Sequence, residues 1–537
     1  MKNQDIFNDY DMVVCMPRKT INDQLTHLTR LGVIHPELII VQNIDGRDFS
    51  YQVLESASQV PVDAHGNPTA SYIYGQITPQ VEIAESGTNI TFVLNFRGGT
   101  AYFWEGYGPM ATLVRHDMTG WKYGISITLD LKKVEKDDIA ANVAIPDIVK
   151  DTLYKFTSDM FTVNSLFMDF ESTDLMRFDP AHSAAPSGGD VGLQQLVLFM
   201  NFYLRDLQKK GNPYVLGYSL TTTDATKPDP DKNVPDELRP VGSTFTLYHD
   251  PSSDDLSNLN FVLATKGGHG EIIGTPGNLD SNWIGKDEQC DAKMIYSHSC
   301  LIEKLVVQPF FDKFRSGVLD QIKDHIQVSK NNDYAAARSV TSTGLAFNIS
   351  DVNTGDDQYV NNVKVDYSVS GTDVLVTFTG HLSVYKEVDR NMGFCTAKAN
   401  AGGTIDWTST ITLASVKNKD GEPTLGISAS EIKVVNQTSG SYKNDCAKGF
   451  EWIGKILGGI LDALTLFSSN GFFSKLFDDL MDLHIPGIGN VGAAFSNLSN
   501  SVSAVLVLPA GQVFFFKTPG VDNDGNLSMQ LTYKSEN

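Results

Sequence analysis

The sequence predicts an α+β chain in which long amphipathic helices lie against curved antiparallel sheets. Three observations carry this expectation. Apolar residues recur at helical spacing in four separate segments. Between them, apolar and polar residues alternate strictly, as half-buried strands require. The order is helix, strands, helix, then helix, strands, helix, strands, which is not the βαβ repetition of a TIM barrel or a doubly wound sheet. Two modules are expected, 1–335 and 336–537, with the closing strands free to pair back onto the first.

The elements follow in order. Thr20 is placed to cap a helix carrying Ile21, Leu25, Leu28 and Leu31, with Gly32 as its stop. The first clear strands are 81–83 and 90–96; Tyr123, Ile125, Ile127, Leu129 and Leu131 then alternate. The span 191–210 presents Leu193, Leu196, Val197, Met200, Tyr203, Leu204 and Leu207 on one broad helical face, and Lys209-Lys210-Gly211 suits its end. Residues 221–240 are rich in acids and proline and read as a surface loop. A long helix is expected over 294–326, kinked or split at Pro309. The span 360–437 reads as a meander with a turn at Asn418-Lys419-Asp420-Gly421. Residues 450–482 are very apolar and helical, broken near Ser468–Gly471 into two helices. The close holds a Phe-rich strand at 505–517, a Pro-Gly turn, and a strand in which Leu527, Met529, Leu531 and Tyr533 alternate with polar residues.

Composition narrows the function classes. The chain has 537 residues, 42 basic against 64 acidic, for a net charge of −22. Such a field repels nucleic acid and anionic membrane surfaces at long range. Twenty-nine Phe and nineteen Tyr favour sheets and large apolar contacts. The five cysteines are odd in number and widely spaced, which suggests no disulfide framework and fits a reducing compartment or buried thiols. The start lacks an apolar signal core, and no run reaches the about 18 apolar residues of a transmembrane helix. The expected location is cytoplasmic, or outside the cell after release without a classical signal peptide.

Searches for chemistry end in near misses. Gly267-Gly-His-Gly follows a strand-like run, but Ile273 stands where a dinucleotide fingerprint needs glycine, and Thr275-Pro-Gly breaks any helix after it. Asp522-Asn-Asp-Gly-Asn526 lacks the glycine and glutamate of a calcium loop and reads as a hairpin turn. Cys290, His298 and Cys300 lack a fourth ligand and a compact Cys pair for zinc, so buried thiols are expected. His116-Asp117 and His249-Asp250 are read as surface turns. No catalytic residue, cofactor or metal is assigned.

The ends of the chain carry a resemblance. Asp11-Met-Val-Val-Cys-Met-Pro-Arg-Lys-Thr-Ile-Asn-Asp-Gln-Leu25, and at the close Leu508-Pro-Ala-Gly-Gln-Val-Phe-Phe-Phe-Lys517 followed by Leu527-Ser-Met-Gln-Leu-Thr-Tyr533, are similar to the first and last elements of tubular lipid-binding (TULIP) proteins encoded beside clostridial botulinum neurotoxins. The matches cover about 60 residues, and these motifs are structural. The resemblance implies long helices wrapped by strongly curved sheets, an apolar seam able to hold lipid, and membership of toxin-complex accessory proteins, some of whose relatives accompany insecticidal activity. The disulfide of secreted lipid-transfer members has no evident counterpart here.

The resulting expectation is a non-enzymatic protein that binds a lipid or other apolar small molecule, with a protein partner in a toxin complex, no nucleic acid and no transmembrane segment. The seam candidates are Leu457 and Leu461, Phe472 and Phe473, and Phe514 and Phe516. Two alternatives stand beside it: a structural or oligomerising toxin-complex protein without internal ligand, and an enzyme whose residues come from distant loops.

Overall fold

A computed structural model describes residues 10–45, 48–83, 89–134, 161–168, 178–210, 214–222, 240–269, 282–326, 328–341, 344–349, 351–353, 357–417, 423–430, 433–468, 506–511, 514–521 and 526–533, with parts of 145–151. Every strand pair in it is antiparallel.

One six-stranded sheet joins the two ends of the sequence. Its order is β10 (Pro240–Tyr248), β11 (Asn258–Thr265), β1 (Met12–Pro17), β12 (Ala292–Tyr296), β24 (Leu527–Thr532) and β23 (Phe515–Val521). All six residues of β1 are buried. Met12, Val14 and Met16 face the main core, while Val13 and Cys15 face a smaller one with Val262, Trp283 and Ile295. This strand is covered on both faces, so it reads as a continuous apolar run. Leu527, Met529 and Leu531 are buried in β24, which lies between β12 and β23.

The nine-stranded sheet has the order β22 (Leu506–Val507), β9 (Val215–Thr222), β8 (Phe161–Met168), β7 (Lys122–Val134), β5 (Asn89–Glu105), β4 (Tyr72–Ile83), β2 (Glu37–Asp45) and β3 (Asp48–Val53), with β6 (Thr112–Asp117) paired to the far end of β5. The seven-stranded sheet runs β14 (Arg338–Val340), β15 (Gly344–Ile349), β17 (Gln358–Ser370), β18 (Asp373–Asn391), β19 (Thr396–Lys417) and β20 (Pro423–Ala429), with β21 (Lys433–Lys443) paired to the first half of β19. Here Val363, Val365, Val374, Val376, Phe378, Leu382 and Val384 are buried, as their alternation predicts, whereas of Tyr367 and Val369, which continue the first alternation, the former is only partly buried and the latter exposed. The expected turn at 418–421 lies outside the described residues. A short pair, β13 (Val328–Ser329) with β16 (Val352–Asn353), completes the strands.

Helices lie on these sheets. In α1 (Arg18–Arg30), Ile21, Leu25 and Leu28 are buried. The helix α2 (Gly189–Lys210) packs Phe199 against Tyr51 of β3 and Phe103 of β5, with centroids 5.1 and 5.7 Å apart. The helix α3 (Gln308–Ile322) places Phe310 4.7 Å from Phe378 and Phe314 5.0 Å from Trp407. Trp407 lies flat over Gly380, where any Cβ would overlap the indole. A single turn, α4 (Asp445–Lys448), precedes α5 (Glu451–Ser468), which buries Ile453, Leu457, Ile460, Leu464 and Phe467.

The expected architecture needs correction. The class is α+β, but the sheets are open strand orders, not curled or closed around helices, and the described helices run from 4 to 22 residues. Alternation in sequence reports which face of a strand is buried, not how far the sheet bends, so curvature was not encoded in the pattern used to infer it. The helix expected over 294–326 begins as strand β12, passes through a π-helical stretch at Ser299–Val307, and becomes α-helical at Gln308. Pro309 stands at the junction of the π-helical and α-helical stretches, where the change of hydrogen-bond pattern coincides with its missing N–H. Pro519 and Gly520 do not form a turn; they sit inside β23, the edge strand, where proline is tolerated.

The cysteines also differ from expectation: Cys395 and Cys446 form a disulfide, with Cα atoms 6.1 Å apart. Their separation of 51 residues hides the pairing. The register Ala399↔Lys443 and the Asn444 N–H donated to Lys398 O (2.9 Å) bring α4 beside the β18–β19 turn.

Candidate functional site

The seam residues assigned from sequence separate into three groups. Leu457 is buried on α5, Leu461 packs partly buried on the same helix, and Phe514 is buried just before β23. All three belong to one continuous core. Phe516 lies on β23, but its side chain, like Phe472 and Phe473 entirely, lies outside the described residues.

A better-formed concavity lies at the C-terminal end of α2, where sequence reasoning placed nothing. Gly32, at φ +75°, turns the chain after α1. Residues 33–36 then run out to β2, and Leu54 N–H bonds Ile39 O (2.9 Å) to hold the exit of β3 alongside. The last turn of α2 stands off this corner and leaves a cleft of about 660 Å³. That volume is within the range of small-molecule sites. Ile34, Leu38, Ile39 and Tyr214 form a buried floor. Tyr203 and Leu207 form the α2 wall, and His35, Glu37, Glu55 and Asp206 are among the other lining residues.

Polar groups at the cleft are held in place. Tyr74 donates its hydroxyl to Glu37 Oε1 at 3.0 Å. The phenols of Tyr203 and Tyr214 lie near each other in the buried floor and wall of the cleft. Burial pushes the Tyr203 phenol up to about 12, and pushes Tyr214 well above its ordinary value, so both stay protonated at neutral pH. The helical spacing of Tyr203, Asp206 and Leu207 was legible, but not that they face a void.

A second, more open concavity of about 670 Å³ lies where α3 and α5 approach, lined by His325, Lys455, Asp462 and Leu466 among others. The His325 ring packs directly on Gly459, which has no Cβ to obstruct it.

The residues screened for chemistry are structural. Asp11, fully buried, accepts from Thr265 N (2.7 Å), His269 N (2.9 Å) and His269 Nδ1 (2.8 Å), folding the glycine-rich loop onto β1. Lys304 Nζ donates to Gly267 O and Gly268 O, both at 3.0 Å. His116 is on strand β6, not in a surface turn, and pairs with Glu105 at 2.8 Å. His249 bonds the Ile83 carbonyl at 3.2 Å. Burial raises the Cys15 thiol well above its ordinary value and Cys290 to about 11, so neither is a thiolate nucleophile at neutral pH. Among the described residues no group of three or more His, Cys, Asp or Glu is placed to hold a metal ion, and no helix is long and apolar enough to cross a membrane.

Among solved structures, the chain is similar to P47 of Clostridium botulinum E1, at 10% identity over 98% of this chain and 99% of that one, with a TM-score of 0.41. It is also similar to lipopolysaccharide binding protein, at 11% identity over 97% and 98% of the two chains, with a TM-score of 0.27. At these TM-scores neither likeness carries an argument. No protein-family model and no curated protein sequence matches the chain.

Proposed function

We propose that this chain is a non-enzymatic binding protein for a small molecule with an apolar body, acting as an accessory component of a bacterial toxin system. The cleft at the end of α2 carries the binding part: about 660 Å³ with an apolar floor and oriented polar groups at its rim. The accessory part is supported by the resemblance of both ends of the chain. Organic extraction of untreated protein followed by mass spectrometry tests the reading. A stoichiometric apolar ligand is expected, and it should be lost from a Leu207→Trp variant that fills the cleft. Absence of any ligand, together with no uptake of an apolar fluorescent probe, would overturn it.

A purely structural role in such a complex is favoured by a different observation. One end of the nine-stranded sheet exposes Ile44, Phe49, Trp104, Tyr107 and Met110. The register Tyr102↔Tyr72↔Val41 places both hairpins at that end. Exposed large apolar groups gathered at one place suit a partner surface.

A further inference from the structure

Among the described residues, β21 is paired on one side only, to β19. The ladder runs without a break from Lys443↔Ala399 to Asn436↔Asp406. Two bonds fix which way its backbone groups point. Asn444 N–H donates to Lys398 O at 2.9 Å, and Thr404 N–H donates to Thr438 Oγ1 at 3.2 Å. Antiparallel pairs alternate, so the even-numbered residues of β21 turn their N–H and C=O groups to β19. Those of Gln437, Ser439 and Ser441 therefore point away from the sheet. Every residue from Val435 to Tyr442 is exposed, on both faces of the strand.

Three other sheet edges are blunted: β14 has three residues, β22 has two, and β23 carries Pro519. β21 has eleven residues, with neither proline nor charge between Lys433 and Lys443. It is seated on β19, which is itself paired along its length to β18, so the edge is pre-formed. A fixed row of outward donors and acceptors in strand alternation is complementary to an extended polypeptide backbone. A second copy of this chain fits poorly. Antiparallel self-pairing about Thr438 would set Lys433 of each copy opposite Lys443 of the other, and two chains of net charge −22 repel. We propose that β21 docks an extended segment of a different protein, uncharged along its middle and acidic at its ends, which joins the seven-stranded sheet as one further strand. Its backbone exchanges hydrogen bonds with Gln437, Ser439 and Ser441, and its end carboxylates meet Lys433 and Lys443.

The test is fluorescence anisotropy of a labelled peptide of alternating Thr and Val, with Glu at each end and the length of β21, titrated with the full chain. The peptide should bind, and at least about tenfold more weakly once two adjacent central amides are N-methylated, which removes a donor from each of its edges. Ser439→Pro should weaken binding as much at an unchanged melting temperature, because the lost N–H faces outward. Ser439→Lys, which leaves the backbone intact, should also weaken it. Thr438→Pro breaks a bond to β19 and should lower the melting temperature. No binding to the native chain at millimolar peptide, or equal binding to the native chain and both Ser439 variants, would overturn the proposal. An unchanged melting temperature for Thr438→Pro would overturn it by reversing which residues face outward. Sedimentation in which the native chain self-associates and the Ser439→Lys chain does not would overturn it in favour of a second copy. None of these results bears on ligand binding in the α2 cleft.

Discussion

Asn22 serves Val81 as a substitute neighbouring strand. From α1 its Nδ2 donates to Val81 O at 3.2 Å, and its Oδ1 accepts from Val81 N at 2.8 Å. The strand β2 pairs with β4 only over Tyr72–Gln76. Beyond that, Ile77 N–H is taken by Pro36 O (2.8 Å), and Val81 by this side chain. A loop and one amide thus close the part of the β4 edge that β2 leaves open. Asn22 belongs to the Ile-Asn-Asp-Gln-Leu element in the opening of the chain, and this contact gives that element a physical role.

Asn22→Ala should therefore destabilise the chain by about 1–3 kcal/mol, because both backbone groups of Val81 lose their partner. Urea denaturation measures the effect. A midpoint equal to that of the native chain would show that water replaces the amide without penalty.

Deleting residues 526–537 should lower the melting temperature sharply. The deletion removes β24 from between β12 and β23, together with Leu527, Met529 and Leu531. Each such side chain contributes about 1.5–3 kcal/mol on burial. Calorimetry of the truncated chain checks this, and an unchanged melting temperature would refute it.

The contrast between what was legible and what was not follows from distance along the chain. The helical face of α2 and the alternation in β17 and β18 are local periodicities, and the burial of Leu196, Met200, Val363 and Val365 follows them. The Asn22–Val81 bridge, the Cys395–Cys446 bond and the β12–β24 pairing join residues 59, 51 and more than 200 positions apart. No short-range pattern marks such partners. The start of the expected middle helix failed for a related reason. Met294, Ile295 and Tyr296 form a short apolar run, and the strands on either side of β12 decide its conformation. The α2 cleft was missed because a void is a property of three elements together; the sequence shows its walls separately.

Reducing the disulfide, or replacing Cys446 by Ala, should cost up to about 4 kcal/mol by the loop-entropy relation for a closed loop of this length. Thermal melts with and without reductant measure it. The loss should be absent when the Cys446→Ala variant is itself treated with reductant. A reductant effect of equal size in that variant would place the sensitivity elsewhere.

Acid should destabilise the turn after β10. Burial raises the Asp250 carboxyl, but hydrogen bonds from Ser252 Oγ (2.6 Å), Asn282 Nδ2 (2.6 Å), Ser252 N (2.8 Å) and Ser253 N (3.2 Å) outweigh it and leave the group below its ordinary value. A lowered folded-state value means the carboxylate stabilises the fold above the unfolded value near 4, and loses that contribution as pH falls through the folded one. Asp250→Asn should therefore flatten the decline of stability below about pH 4. Urea midpoints at pH 6 and pH 3 for both chains compare the slopes, and equal slopes would count against the assignment.

The exposed end of the nine-stranded sheet separates surface from scaffold. Tyr107 is 94% and Met110 82% exposed, on the connection between β5 and β6. Such side chains contribute little to the fold, so Tyr107→Ser with Met110→Ser should change stability by no more than about 0.5 kcal/mol. If this end is a docking surface in a complex, the same pair should weaken association by removing apolar area that only a partner covers. Sedimentation over a range of concentrations, for the native chain and the double variant, reads self-association directly. Association of the native chain that the substitutions abolish, at unchanged melting temperature, is the expected result for a structural role. Association of equal strength in both would place the contact on another face.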